Sequence, residues 1–512
     1  MTHITRRSFV SATAKGAAVI AAGSWLGARA LAAPAAGGEA GGYFAREFGI
    51  GDELCRKVLA RALARGGDFA ELFFEHTLST WVSLEDGKVN RASGDVALGV
   101  GIRTVKGDQV GYGFTQELTL DAMLGAASIA ASIADAGAGK VAGAFSAPPL
   151  GSFYLLDQPL STTPLASKVA LVQDLNNRCF ARSPLVAKVS ATWHDQERRI
   201  LVVTSDGART EDLQPRTYLM ATATAEKDGR RERANWSYGG RREFAAYTPA
   251  VLDEIASVSV DRAVTLFDAV KPPAGEMPVV LGNGVTGVLL HEAIGHGMEA
   301  DFNRKNESTY STMIGKTVAD ETVTIVDDGT NPHVGGSLNV DDEGVPGQRT
   351  VLVERGILIG YLHDRISARH YGVAPTGNGR RESYQHVVQP RMRNTYMLGG
   401  PSTPDEVIRS VKRGIYVEAV GNGQVKIGEG DFAFFVTTGR LIEDGKLTAP
   451  IKDVNIMGNG PRMLTNVSMV ANDFVLHPGG PGACGKGGQA VPVSFGQPTI
   501  LVQSLTVGGS KA

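Results

Sequence analysis

Cysteine is nearly absent from this chain: three residues in 512, Cys55, Cys179 and Cys484, with no C-x-x-C spacing anywhere. That excludes a zinc ribbon, an iron–sulfur run and an obvious disulfide framework. An excess of charge is missing too. Lys and Arg total 51 against 53 for Asp and Glu, which leaves no electrostatic footprint for a nucleic-acid partner. No stretch approaches the ~18 consecutive apolar residues of a membrane-spanning helix, so stable membrane insertion is not expected. A phosphate-binding loop is also lacking. Gly315-Lys316-Thr317 matches the end of one, but the position of its earlier glycine holds Tyr310. No redox-cofactor motif is present.

Glycine, in contrast, is abundant: 64 residues, against a usual share of about 7%. They are scattered among turn signals, which predicts a β-rich protein with many tight turns. At this length two domains are expected. Residues 1–32 resemble a twin-arginine signal peptide: Arg6-Arg7-Ser8-Phe9 precedes an alanine-rich apolar run and an Ala30-Leu31-Ala32 cleavage site. Export through that route, to the periplasm, follows as an expectation, with residues 33–42 as a flexible lead-in.

Over residues 43–271, apolar alternation and turns at Asp86-Gly87, Lys106-Gly107, Asp206-Gly207 and Asp228-Gly229 predict antiparallel strands. Amphipathic helices are predicted near Leu54, Leu120 and Leu165, the last with Thr163 as its cap. Lys271-Pro272-Pro273-Ala274-Gly275 marks a boundary. Residues 276–512 carry short strands and turns at Asp328-Gly329, Arg355-Gly356 and Asp444-Gly445. The fold class is therefore α+β: an N-terminal antiparallel sheet with helices on one side, then a β-rich, barrel-like C-terminal domain.

The chemistry concentrates in His291-Glu292-Ala293-Ile294-Gly295-His296-Gly297-Met298-Glu299, within a stretch predicted helical from about Val285 past Met298. Neutral imidazoles are common zinc ligands, and a neighbouring glutamate can act as general base. The histidines are five apart, one more than in H-E-x-x-H. On an ideal helix that separates them by about 140°, too far for one ion, so the helix must bend, unwind or carry a π-bulge. Gly295 is the residue best able to permit the distortion. A catalytic zinc needs a third protein ligand. Cys55 and Cys179 suit burial as small hydrophobes. Cys484 lies instead in the glycine-rich Pro478-to-Gln489 segment, and Lys486 nearby would favour its thiolate. His477 is the reserve ligand.

The helix motif, together with Val340-Asp341-Asp342-Glu343-Gly344, Gly360-Tyr361-Leu362-His363-Asp364-Arg365, Thr376-Gly377-Asn378-Gly379-Arg380-Arg381, Arg391-Met392-Arg393-Asn394-Thr395-Tyr396 and Ala483-Cys484-Gly485-Lys486, resembles the TldD/PmbA family of metallopeptidases, on the catalytic TldD side. The resemblance implies His291, His296 and Cys484 as metal ligands and Glu292 as the catalytic residue. It further implies one divalent metal per chain, with zinc expected, and dimers, either of like chains or with an inactive sister subunit. A peptide substrate held in extended form is expected. Arg380, Arg381, Arg391 and Arg393 are candidates for substrate binding through forked hydrogen bonds, set against ion pairing within the fold. Asp341, Asp342 and Glu343 suit an acidic turn, and His363, His370 and His386 structural or substrate-adjacent positions. The alternative class is a non-catalytic, metal-stabilised binding or maturation partner, whose structural ion would need a fourth protein ligand.

Overall fold

A computed structural model describes residues 42–509 apart from Ala136, Ile427, Pro481 and Gly482. The targeting segment expected over residues 1–32, and the lead-in up to residue 41, lie outside the described residues. The first half is built on six long strands: β1 (Phe69–Glu85), β2 (Lys88–Lys106), β3 (Gln109–Thr115), β4 (Val186–Thr204), β5 (Arg209–Lys227) and β6 (Arg230–Gly240). They form one antiparallel sheet in the order β3-β2-β1-β4-β5-β6. The sequence suggests separate short strands around Leu72 and Trp81, yet one strand carries both, because each half of β1 pairs continuously with β2 and β4. The hairpin turns predicted at Asp86-Gly87 and Asp228-Gly229 form where expected, and both pairs take the left-handed conformations that a tight β-hairpin demands.

Strand alternation decides what each face buries. On one face, Val82, Leu84, Trp193, Leu219 and Ala221 pack with Val172, Leu175 and Ile255. The latter come from helices α1 (Leu165–Arg182) and α2 (Pro249–Thr265). Pro164, and not Thr163, occupies the N-cap position of helix α1, and no side chain caps it. On the other face, Phe73, Ile200 and Val202 pack against Val340 and Tyr384 of the second half.

That second half contains a closed five-stranded barrel of β7 (Gly275–Leu281), β8 (Arg413–Lys426), β9 (Asp431–Glu443), β10 (Val454–Asn459) and β11 (Ile500–Gly509). The neighbours run β8-β7-β11-β10-β9, and β9 returns to pair with β8. Inward residues Val279, Leu281, Ile415, Val417, Phe432, Phe434, Ile456 and Val502 join the main core. This core also takes in Leu289, Leu290, Ile294 and Met298 of the motif segment. Beside the barrel, a second sheet of six short strands includes Ile325–Asp328, Asn394–Met397 and Ser494–Gln497. Asp328-Gly329 is not a hairpin turn there. Asp328 ends its strand, and a Cβ on Gly329 would stand 2.8 Å from Arg393 Nη1, so the glycine makes room for that arginine.

Candidate metal centre

The motif segment is helical throughout, but little of it is α-helix. A 3₁₀ turn (Gly284–Gly287) leads to an α turn (Val288–Leu290), a π turn (His291–Gly295) and a second 3₁₀ turn (His296–Met298). The His296 N–H donates to the His291 carbonyl, an i→i+5 bond that sets the two residues one above the other. Their imidazole centroids are 5.3 Å apart. The extra residue of H-E-x-x-x-H is thus absorbed by a single π turn. Gly295 serves it in an unexpected way: its φ of −59° and ψ of −45° are ordinary helical values. What excludes a side chain is space, since a Cβ would lie 2.0 Å from Met392 Sδ.

Cys484 sits on strand Ala483–Lys486, paired with Gln489–Pro492 across the Gly487-Gly488 turn, so the glycine loop is in this part a β-hairpin. Gly487 and Gly488 have φ of 57° and 76°, conformations that a side chain would strain. The hairpin carries Cys484 Sγ to 3.2 Å from His296 Nε2. Ligand atoms of His291, His296 and Cys484 all lie within 4.8 Å of one another, and all three residues are buried. Glu292 is different. Its side chain is 32% exposed, with Oε2 3.8 Å from His296 Nε2. The carboxylate therefore stands at the rim of the cluster, open to solvent.

Electrostatics favour a thiolate at Cys484 paired with a charged imidazole at His296, whose extra proton metal binding would displace. Burial alone would raise the Cys484 thiol, but the His291 and His296 imidazoles outweigh it and hold the thiol well below its ordinary range. Lys486 directs its charge elsewhere, with Nζ 3.1 Å from Glu299 and 2.7 Å from Asp301. Burial would lower His296, yet the Glu299 carboxylate, 2.9 Å from Nδ1, holds it well above the usual histidine value. Glu299 resists its own burial through Lys486 and His296 and is pulled down to about 2. Both ring nitrogens of His291 are buried without a hydrogen-bond partner. In a purely structural histidine such orphaned groups cost about 1–3 kcal/mol each, a penalty that coordination would remove at one of the two nitrogens. Two imidazole nitrogens and a thiolate form a donor set that suits zinc.

Family profiles match along the chain: PmbA/TldA metallopeptidase domain 1 over residues 70–134, its central domain over 158–267 and its C-terminal domain over 274–509. A metalloprotease TldD homolog of Haemophilus influenzae is 41% identical over 454 residues, 87% of this chain and 94% of that protein. This chain belongs to the TldD/PmbA family of metallopeptidases. A zinc metalloprotease TldD homolog of Saccharolobus solfataricus is 37% identical over 249 residues, 48% of this chain and 55% of that protein. The crystal structure of TldE from Thermococcus kodakarensis shares the fold, with a TM-score of 0.69 at 20% identity over 89% of this chain and 99% of that one. The TldD/PmbA chain described here is thus a peptidase, a hydrolase with a metal cofactor.

The four arginines do not line an open surface in this family member, contrary to the substrate-binding expectation. Arg381 pairs with Glu71 of the N-terminal sheet, and Arg393 with Asp327 at 2.8 Å. Arg391 donates to the carbonyls of Cys484 and Gln489. Arg380 donates to the carbonyls of Met392 and Pro492, at 2.6 Å each. All four are at most 3% exposed, so a peptide cannot reach them without unpacking the fold. The turn at Asp341–Glu343 is likewise interior. Asp341 accepts from the N–H groups of Glu343, Val345 and Gly379. Arg198 meets Asp342 at 3.1 Å, and Arg103 bridges Glu71 and Glu343.

His477 is no fourth ligand. It stacks on Phe495, accepts from the Gly479 N–H, and lies outside the His291–His296–Cys484 group. Burial pushes it down to about 4. His363, also lowered to about 4 by burial, packs edge-on to Tyr361 and Tyr371. His370 packs against Tyr371, and His386 meets Ser383.

Glu299 is the residue that sequence reasoning overlooked. An acid three positions after the second histidine was the signal available, because that spacing returns a side chain to the same face of a helix.

Proposed function

We propose that the chain is an exported zinc-dependent peptidase that cuts extended or unfolded peptides. The observation that carries this reading is the pairing of three buried donor atoms with one solvent-facing carboxylate, Glu292. His291, His296 and Cys484 would hold the ion, and a zinc held there supplies Lewis acidity towards a peptide carbonyl and a water molecule. Glu292 takes the proton from the attacking water and returns it to the leaving amine, as general base and then acid. Its exposure gives water and substrate access to that carboxylate, while the burial of the ligands keeps them from competing bonds.

Support for an extended substrate comes from the Cys484 hairpin. Strand Ala483–Lys486 has a strand partner on one side only among the described residues, and Gly485 faces open space. A peptide laid along that edge as an added strand would be held through backbone bonds that do not discriminate side chains. Export rests on residues 1–32, and association with a like chain or an inactive sister subunit rests on the family resemblance.

Zinc content and cleavage of an unstructured peptide by the purified protein, with and without chelator, test the reading. Glu292→Gln should keep zinc while lowering hydrolysis by about 100- to 10,000-fold. Loss of zinc from this variant would make Glu292 a ligand. Unchanged hydrolysis would remove it from the chemistry.

A further inference from the structure

The two histidines of the centre differ in their support. His291 has no partner on either ring nitrogen, whereas His296 Nδ1 lies 2.9 Å from Glu299 Oε2, leaving Nε2 to face Cys484. Glu299 is fully buried and is where the local helix breaks. Its φ of −70° and ψ of 126° are extended, and its flanks are fixed by backbone bonds from Ala300 N–H to the Leu362 carbonyl and from Leu362 N–H to the Met298 carbonyl.

The same carboxylate reaches the other ligand-bearing element. Lys486, on the Cys484 strand, places Nζ 3.1 Å from Glu299, 2.7 Å from Asp301 and 3.0 Å from the Pro390 carbonyl. It also lies 4.4 Å from the centre of the Phe302 ring. Arg391 Nε stands 3.9 Å from Glu299 while its Nη atoms donate to the carbonyls of Cys484 and Gln489, one on each strand of the hairpin. Lys486 and Cys484 are two apart on one strand and so share a face. The ammonium anchors where the thiolate lands.

We propose that Glu299 is a positioning residue for the metal, orienting His296 and, through Lys486, locking the Cys484 hairpin in register with the histidine helix. The inference rests on the reading of His291, His296 and Cys484 as the metal centre. A carboxylate behind a ligating imidazole fixes its tautomer and raises its basicity, and loss of such a partner typically weakens metal binding by about 10- to 100-fold. Here the same carboxylate also holds the third ligand's strand, so Glu299 and Lys486 should act as one unit.

The test is zinc affinity by chelator competition for the wild type, Glu299→Gln, Lys486→Met and the double variant, with the melting temperature of each metal-free protein alongside. Glu299→Gln should weaken zinc by about 10- to 100-fold. Lys486→Met should weaken it too, and the double variant should be no weaker than Glu299→Gln alone, because the second change removes a partner already lost. If Glu299→Gln does not fold, the double variant, which removes both charges together, carries the test against Lys486→Met. Wild-type affinity in Glu299→Gln, or in the double variant, overturns the proposal. So do losses that multiply, or losses that only track a lowered metal-free melting temperature. A wild type that binds no zinc fails the metal-centre reading itself. One that binds zinc but cuts no peptide fails the peptidase reading and leaves Glu299 in place.

Discussion

Replacing Gly295 by alanine tests whether space, and not backbone freedom, explains the glycine before the second histidine. The backbone is already helical there, so the exchange should gain up to ~1 kcal/mol in helix propensity. Against that, the new methyl would lie 2.0 Å from Met392 Sδ and 3.1 Å from Cε, and ordinary contact needs about 3.5–4.0 Å. The sulfur would have to retreat by more than an ångström. Met392 is fully buried in the main core, and its carbonyl is pinned by Arg380 at 2.6 Å. Overpacking of this kind costs about 1–3 kcal/mol, so the single variant should lose about 0–2 kcal/mol.

A double-mutant cycle isolates the clash. Met392→Ala alone should cost about 2–5 kcal/mol. In that background Gly295→Ala should be neutral or slightly stabilising, which leaves a coupling energy of about 1–3 kcal/mol. Urea unfolding of the metal-free proteins, compared at constant m-value, measures all four corners. Additivity within ~0.5 kcal/mol would refute the steric account and return the explanation to backbone conformation.

Three further outcomes follow from the same geometry. Cys484→Ser should sharply lower zinc content measured by metal analysis, whereas Cys55→Ser and Cys179→Ser should retain it, since burial pushes the Cys55 thiol up to about 11 despite Arg209, and burial alone pushes Cys179 up to about 12; equal zinc in all three would remove Cys484 from the centre. Arg393→Met leaves Asp327 buried without its counter-ion and should cost about 3–5 kcal/mol in unfolding free energy, with zinc content kept in the protein that remains folded. In the metal-free protein, Glu299 is depressed to about 2, so its contribution is fully present above the ordinary carboxylate range and is lost as pH falls from about 4.5 towards 2. His296, held above its usual value, gives stability that is lost as pH rises through that raised value. Acid titration of Glu299→Gln, followed by melting temperature, should show a smaller loss below pH ~4.5 than the wild type, because Asp68 and other depressed carboxylates still contribute theirs.

Local features of the centre were legible because they depend on spacing. A five-residue separation of two candidate ligands demands a distorted helix, and the π turn over His291–Gly295 supplies it. The hairpin turns at Asp86-Gly87 and Asp228-Gly229 were legible because Asp-Gly pairs accept left-handed backbone at both positions, whereas the turn expected at Lys106-Gly107 falls one residue on, at Gly107-Asp108. What stayed hidden depends on partners distant in sequence. Arg381 finds Glu71, 310 residues away, and Arg391 finds the Cys484 carbonyl, 93 away. Nothing in a run of basic residues distinguishes a substrate clamp from a buried bracket. The barrel is equally non-local, since β7 at the start of the second half pairs with β11 at its end.

The buried arginines connect the N-terminal sheet to the metal centre through a short series of packed groups. Arg381 fastens to Glu71, on the sheet, and its neighbour Arg380 holds the carbonyls of Met392 and Pro492. Met392 fills the space that Gly295 leaves beside His296, and Pro492 pairs with Ala483, the residue before Cys484. One guanidinium therefore braces both the helix that presents His296 and the hairpin that presents Cys484. Carbonyl partners suit that task better than a carboxylate would. They fix two backbones at defined points without introducing a further negative charge next to a thiolate, and the planar fork spans both with little freedom to shift. The charged layer between the halves thus seats the candidate metal centre, and Glu292, outside that layer, is the neighbouring carboxylate with access to solvent.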